Sequence, residues 1–159
     1  MEKPEPLVEL EALQAKLKEL EAKNELLTAV ITHCPAVVFI KDTDGRLEIC
    51  NPAYERLLGV GPGELLGKTD HEIFGEKAGQ QNRANDLKVC EDGQAQSIEE
   101  VIPHPDGDMT YMSLKFPLYD PQGEVRGVAG IANDITELRE AERERATLQE
   151  KVIRGQQRT

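Results

Sequence analysis

Gly127-Val-Ala-Gly-Ile-Ala-Asn133 runs through Asp134-Ile135-Thr136 directly into a charged segment, Glu137 to Lys151. The first part reads as a buried strand of small and branched residues, and the last as an exposed helix. Asp134 can cap that helix, with Glu137 three residues on in capping-box spacing, so strand and helix join almost without a loop. Whatever disturbs the sheet should then move the helix, which makes Asp134, Ile135 and Thr136 the expected signal junction.

Upstream of the junction the period stays that of strands, and turn signals divide it. Tyr119 and Val125 flank Asp120-Pro-Gln-Gly123, with Pro and Gly where a type I turn favours them. Ala95 to Ile102 and Met109 to Tyr119 flank Pro105-Asp-Gly107, while Val37 to Ile40 and Leu47 to Cys50 flank Asp42-Thr-Asp-Gly45. Five strands in three hairpins are therefore expected. Between the second and third strands, Pro52 to Asp92 reads as helices. Pro52 is a first-turn proline, Gly59 to Gly63 breaks the run, Thr69-x-x-Glu72 is a capping box, and the longest helix covers Glu76 to Glu91. Met112, Leu114, Phe116 and Leu118 alternate with Tyr111, Ser113, Lys115 and Tyr119, so the fourth strand has an apolar and a mixed face, one of which must meet the helices. Gly127, Ala129, Gly130 and Ala132 leave room for a close approach to the last strand, most simply by a helix.

Toward the N-terminus, Leu10, Leu17, Asn24 and Ile31 fall at position a, and Leu13, Leu20 and Leu27 at position d, of three heptads. These residues are the expected dimer interface of a two-stranded parallel coiled coil, whose register the single Asn specifies. Lys16 at g would face Glu21 of the partner helix. The alternative is one amphipathic helix lying on its own domain. Pro35 closes the helix. The exit helix carries a weaker stripe of Leu138, Ala141, Leu148 and Val152, interrupted by Arg145, and Arg154 to Thr159 reads as a frayed end. The expected organisation is a coiled-coil helix at 1–33, an α+β core at 34–136, and a signalling helix with its tail at 137–159.

The chain has 159 residues, 38% of them apolar and none of them Trp, enough for one modest core. A net charge of -11 disfavours nucleic acid and anionic lipid as partners. Cys34, Cys50 and Cys90 are odd in number and lack C-x-x-C spacing, which fits a reducing compartment and makes the cytoplasm the expected location. No apolar run approaches the roughly 18 to 20 residues that span a bilayer, so no membrane insertion by this chain is expected.

The order of elements, and the local words Phe39-Ile-Lys-Asp-Thr-Asp-Gly45, Asn51-Pro-Ala-Tyr-Glu55, Leu65-Leu-Gly-Lys-Thr-Asp70, Arg83-x-x-Asp86, His104-Pro-Asp-Gly107, Phe116-Pro-Leu118 and Gly130-Ile-Ala-Asn-Asp-Ile-Thr136, resemble a PAS domain with its C-terminal PAC portion, over about residues 28 to 138. The resemblance implies an α+β fold with a five-stranded antiparallel sheet in order 2-1-5-4-3 and helices over one face, enclosing a ligand cavity in some members. It also implies a sensory or dimerisation module upstream of histidine kinases, diguanylate cyclases or transcription regulators in bacteria.

Such domains differ chiefly in what they hold. The Asn-Cys-Arg word of flavin-photoadduct members is missing here, and the long helix lacks the His that haem-binding members use, with His71 the only fallback. The three His are too scattered for metal-ligand spacing. The cofactor is left open: no covalent flavin, no metal and no haem are expected, and a small organic ligand is compatible. The candidate pocket residues are Ile40, Ser113 and Ile131 from the sheet and Ala84, Leu87 and Lys88 from the long helix. Arg83 is a candidate for a ligand carboxylate, or else pairs with Asp86 or a neighbouring loop. A one-residue slip of register would exchange every sheet position. No catalytic constellation is present: His71-Glu72 lacks the second His of a zincin, and neither a phosphate loop nor a nucleophile elbow occurs. The reading is a non-catalytic, homodimeric sensory module of a bacterial two-component system, of sensor histidine kinase type, acting on a downstream effector domain or partner protein. The alternatives are a ligand-free scaffold that docks a partner through the mixed sheet face, and a flavin or haem redox or gas sensor.

Overall fold

The computed structural model describes residues 4–156, in two compact units that meet between Cys34 and Pro35. The first unit is helix α1 (Glu5–His33), which starts behind Pro4 and buries none of its residues. Leu10, Leu13, Leu17, Leu20 and Leu27 are each at least half exposed. Lys16 and Lys23 both pair with Glu19 on the same helix.

The second unit runs β1 (Val37–Asp42), β2 (Leu47–Cys50), α2 (Pro52–Leu58), α3 (Asp70–Phe74), α4 (Glu76–Asp92), β3 (Gln96–Ile102), β4 (Met109–Tyr119), β5 (Val125–Asp134) and α5 (Thr136–Gln156). The strands form one antiparallel sheet in order β2-β1-β5-β4-β3, with β2 and β3 at its edges. Asn51 caps α2 and stitches it to β1, its Oδ1 accepting from Val38 N and its Nδ2 donating to Ala36 O. Thr69 and Glu72 form the capping box that starts α3. Gly93, at φ 65°, closes α4 in the left-handed region that glycine tolerates.

Registers assign the faces. Val37, Ala132 and Ser113 lie in one row, and Phe39, Gly130 and Lys115 in the next, on the side covered by the helices. The core there is Val37, Phe39, Leu47, Tyr54, Leu65, Ile102, Tyr111 and Ala132. The mixed face of β4 is therefore the covered one, and the scaffold alternative that docks a partner through it is corrected: the apolar face points outward. The close approach expected at β5 is made by a neighbouring strand, since a Cβ on Gly130 would lie 2.2 Å from the Phe39 ring. The exit helix is continuous to Gln156, so the frayed end expected from Arg154 is helix up to that residue, and 157–159 lie outside the described residues. No helix among the described residues is long and apolar enough to cross a membrane.

Candidate functional site

Five charged side chains from five different elements meet in the core. The inward parity of β1, shared by Val37 and Phe39, also turns Lys41 into the protein; on β4 the same parity buries Lys115 beside Ser113. Glu100 points inward from β3. Asp70 opens α3, held in place by the capping box and by a bridge between Arg46 and Thr69. Asp86 comes from α4, whose buried residues are Gly79, Asn82, Asp86 and Val89. Gly79 lets α4 sit tightly on α3, because a Cβ there would lie 2.4 Å from His71 Cα.

Lys41 Nζ donates to Asp70 Oδ2 at 2.5 Å and to Asp86 Oδ2 at 2.8 Å. Lys115 Nζ donates to Asp86 Oδ1 and Glu100 Oε2, both at 2.7 Å. Asn85 Nδ2 adds a bond to Glu100 Oε2 at 3.1 Å. All five charged residues are more than nine-tenths buried. Both ammonium groups also lie over the Phe39 ring, 4.7 and 5.8 Å from its centroid.

Burial pushes the Asp86 carboxyl up, but Lys41 and Lys115 outweigh it and hold Asp86 below the ordinary carboxylate value. Asp70 ends above that value, because burial exceeds what Lys41 returns and Asp86 adds repulsion. For Lys41, burial favours the neutral form, and Asp86 and Asp70 overcome it to leave the ammonium more basic than a free lysine. Burial, followed by the repulsion of Asp70, drives the Tyr54 hydroxyl well above its ordinary value.

A residual cavity of about 20 Å³ lies between this network and the aromatic side of the core. Of the residues expected to line a pocket, Ser113 lies on it. Ile40 and Ile131 do not: they stand one position out of phase with Phe39 and Gly130, on the outer face. Ala84, Leu87 and Lys88 are exposed on the outward side of α4. Arg83 donates to Thr43 O at 2.6 Å, and Asp86 is taken by the two lysines. Sequence reasoning missed Lys41, Asp70, Asn82, Glu100 and Lys115. The signal that would have found them is strand parity, which sets Lys41 in phase with Val37 and Phe39.

At the junction, Asp134 Oδ1 accepts from Thr136 N at 2.9 Å and from Thr136 Oγ1 at 2.5 Å. Asp134 thus turns back on Thr136, and the expected capping box with Glu137 is replaced by this contact. Ile135 N donates to Thr110 O at 2.8 Å, and Thr110 N donates to Thr136 Oγ1 at 2.9 Å, which fastens the start of α5 to β4. Arg139 Nε donates to Glu99 Oε1 at 2.9 Å, which fastens the first turn of α5 to β3. Glu99 and Glu100 are adjacent on that strand and face opposite sides of the sheet.

The PAS fold family matches residues 31–140, and the chain belongs to it. Among curated proteins, the chain is 32% identical over 139 residues to the methanogenesis regulatory histidine kinase FilI of Methanothrix harundinacea, a match covering 86% of this chain and 15% of that protein. It is 30% identical over 137 residues to a diguanylate cyclase of Vibrio cholerae, covering 84% of this chain and 42% of the cyclase. The chain therefore spans less than half the length of either relative. The solved PAS domain of Bordetella pertussis BvgS superposes with a TM-score of 0.61 at 25% identity, over 82% of this chain and 98% of that one. These likenesses make the chain a sensor module of the signal-transduction type.

Proposed function

We propose that this PAS domain serves a sensor histidine kinase, passing a change in its charged core to α5 through Asp134, Ile135 and Thr136. The observation that carries the reading is an unbroken set of contacts. Lys115 links Asp86 to Glu100 on β3, the next residue Glu99 holds Arg139 on α5, and Thr110 of β4 holds Ile135 and Thr136 between them. The histidine kinase FilI supports the kinase assignment, and the cyclase relative names the rival effector. Catalysis then belongs to the effector and not to this domain. The unburied stripe of α1 supports a homodimer through Leu10, Leu13, Leu17, Leu20, Asn24, Leu27 and Ile31, and three cysteines outside any disulfide support a cytoplasmic setting. Sedimentation of the purified chain tests the dimer, and a monomer at tens of micromolar would remove it.

The small cavity favours a second reading, a scaffold that holds no organic ligand and docks its partner through the outer sheet face. About 20 Å³ admits nothing larger than a water-sized species unless the ion pairs part. Native mass spectrometry separates the two. Excess mass that is lost on denaturation supports an organic ligand, and bare polypeptide supports the scaffold.

A further inference from the structure

Four polar side chains line the core cavity, and one of them carries a buried acceptor without a partner. That acceptor is Asp70 Oδ1. The polar side chains of Ser113, Asn82 and Tyr54 line the cavity with it. All four residues line the same cavity and are more than nine-tenths buried. Together they offer one carboxylate oxygen and three further acceptors to a donor placed between them.

Charge narrows what that donor is. Lys41 and Lys115 face Asp70, Asp86 and Glu100, so the sealed network carries one negative charge in excess. Asp86 has an ammonium on each oxygen, and Glu100 holds both Lys115 and Asn85. The excess and the unmet acceptor therefore coincide at Asp70. An uncompensated charge in a dry interior is strongly disfavoured, so the site calls for a cation. The volume, about 20 Å³, suits one water-sized species. Water fits the volume and neutralises nothing, whereas ammonium fits the volume, supplies the charge and donates up to four hydrogen bonds.

A way in exists. A groove of about 730 Å³ between α4 and β3 shares Phe74, Asn82 and Glu100 with the cavity. Its wall adds Glu76 and Asp108 against Lys77, with Glu99 taken by Arg139, a mildly acidic surface that favours small cations.

We propose that the core cavity binds an ammonium ion, held by Asp70, Ser113, Asn82 and Tyr54. This deepens the proposed function, since it rests on the core being the input site. The full chain is to be melted at pH 7 in ammonium chloride, sodium chloride and tetramethylammonium chloride of equal ionic strength. Ammonium alone raises the midpoint, saturably, by about 3 °C or more at ten times its dissociation constant. Asp70→Asn loses that response, and Ser113→Ala weakens the apparent affinity by about 5- to 10-fold. Should Asp70→Asn fail to fold, Ser113→Ala decides. Equal midpoints in ammonium and sodium overturn the proposal, as does an undiminished response in either variant. A stabilisation that acidification reproduces, with the ammonium response then gone, makes a proton the occupant and also overturns it.

Amide resonances of Thr110, Ile135 and Arg139 separate this proposal from the signalling route. Saturable ammonium binding that leaves them unmoved keeps the site and refutes the transmission. Junction resonances that move in Asp86→Asn, in a protein indifferent to ammonium, keep the transmission and refute the site.

Discussion

The two faces of the sheet differ in charge: the covered one sets buried ions among its apolar core, and the outward one has none of them. The covered face carries Lys41, Lys115 and Glu100, whereas the outward face carries Val38, Ile40, Ile49, Leu114, Phe116 and Ile131. Burying apolar surface is the main favourable term in folding, so this domain forgoes some of it on both sides. Inside, ion pairs replace apolar packing, and such pairs add little net stability while punishing the loss of one member. Outside, half-exposed Ile and Leu are available to a partner. The inner face is thus sensitive to charge, and the outer face to assembly.

Four expectations test this contrast, the largest first. Asp86→Ala takes from each of two buried ammonium groups one of its two carboxylate partners, leaving Lys41 to Asp70 and Lys115 to Glu100, and lowers stability by about 3 kcal/mol, whereas Ile131→Ser on the outer face changes it by less than about 1 kcal/mol in dilute protein. Urea unfolding compares them, and equal losses would erase the contrast. Gly79→Ala forces a Cβ against the backbone of α3, separates Asp70 from Asp86, and lowers stability by about 1–3 kcal/mol. An unchanged urea midpoint would show that the two helices part freely.

The third is pH dependence within the network, where the two aspartates act oppositely. Asp70 has a raised native pKa, so its contribution is fully present below the unfolded value of about 3.9 and is lost as pH rises through the native value. Asp86 has a lowered native pKa, so its contribution is present above about 3.9 and is lost as pH falls through the native value. Urea midpoints of the wild type should therefore fall, relative to Asp70→Asn, as pH rises above about 4. Parallel profiles would show that Asp70 is not strained by its burial. The smallest effect is that of Thr136→Val, which removes the acceptor for Thr110 N and costs about 1 kcal/mol. The same variant should speed amide exchange at Ile135, and unchanged exchange would free the junction from β4.

That contrast also explains what could be read from the residues beforehand. Strands, hairpins, the Thr69 capping box and the strand-to-helix junction follow from local turn chemistry and period, which do not depend on what a face meets. Facing does depend on it. A reading that seeks apolar residues inside selects Ile40 and Ile131 from the sheet and Ala84 and Leu87 from α4. In this protein those positions point outward, and α4 turns Asn82 and Asp86 in instead. Lys41 stands in Phe39-Ile-Lys-Asp-Thr-Asp-Gly45, but its role needs partners from β3, β4, α3 and α4 that no local pattern brings together. Ser113 belongs to the covered row by parity alone.

The central claim is that the charged core and α5 are coupled. The most direct measurement is the amide spectrum of Asp86→Asn beside a Val89→Ala control, which alters the packing of the same helix without touching a charge. The account predicts that Ile135 and Arg139 shift in Asp86→Asn and hold their positions in Val89→Ala. Shifts confined to α3, α4 and the neighbouring strand positions in Asp86→Asn would contradict it, leaving the network a structural feature without a path to the output helix.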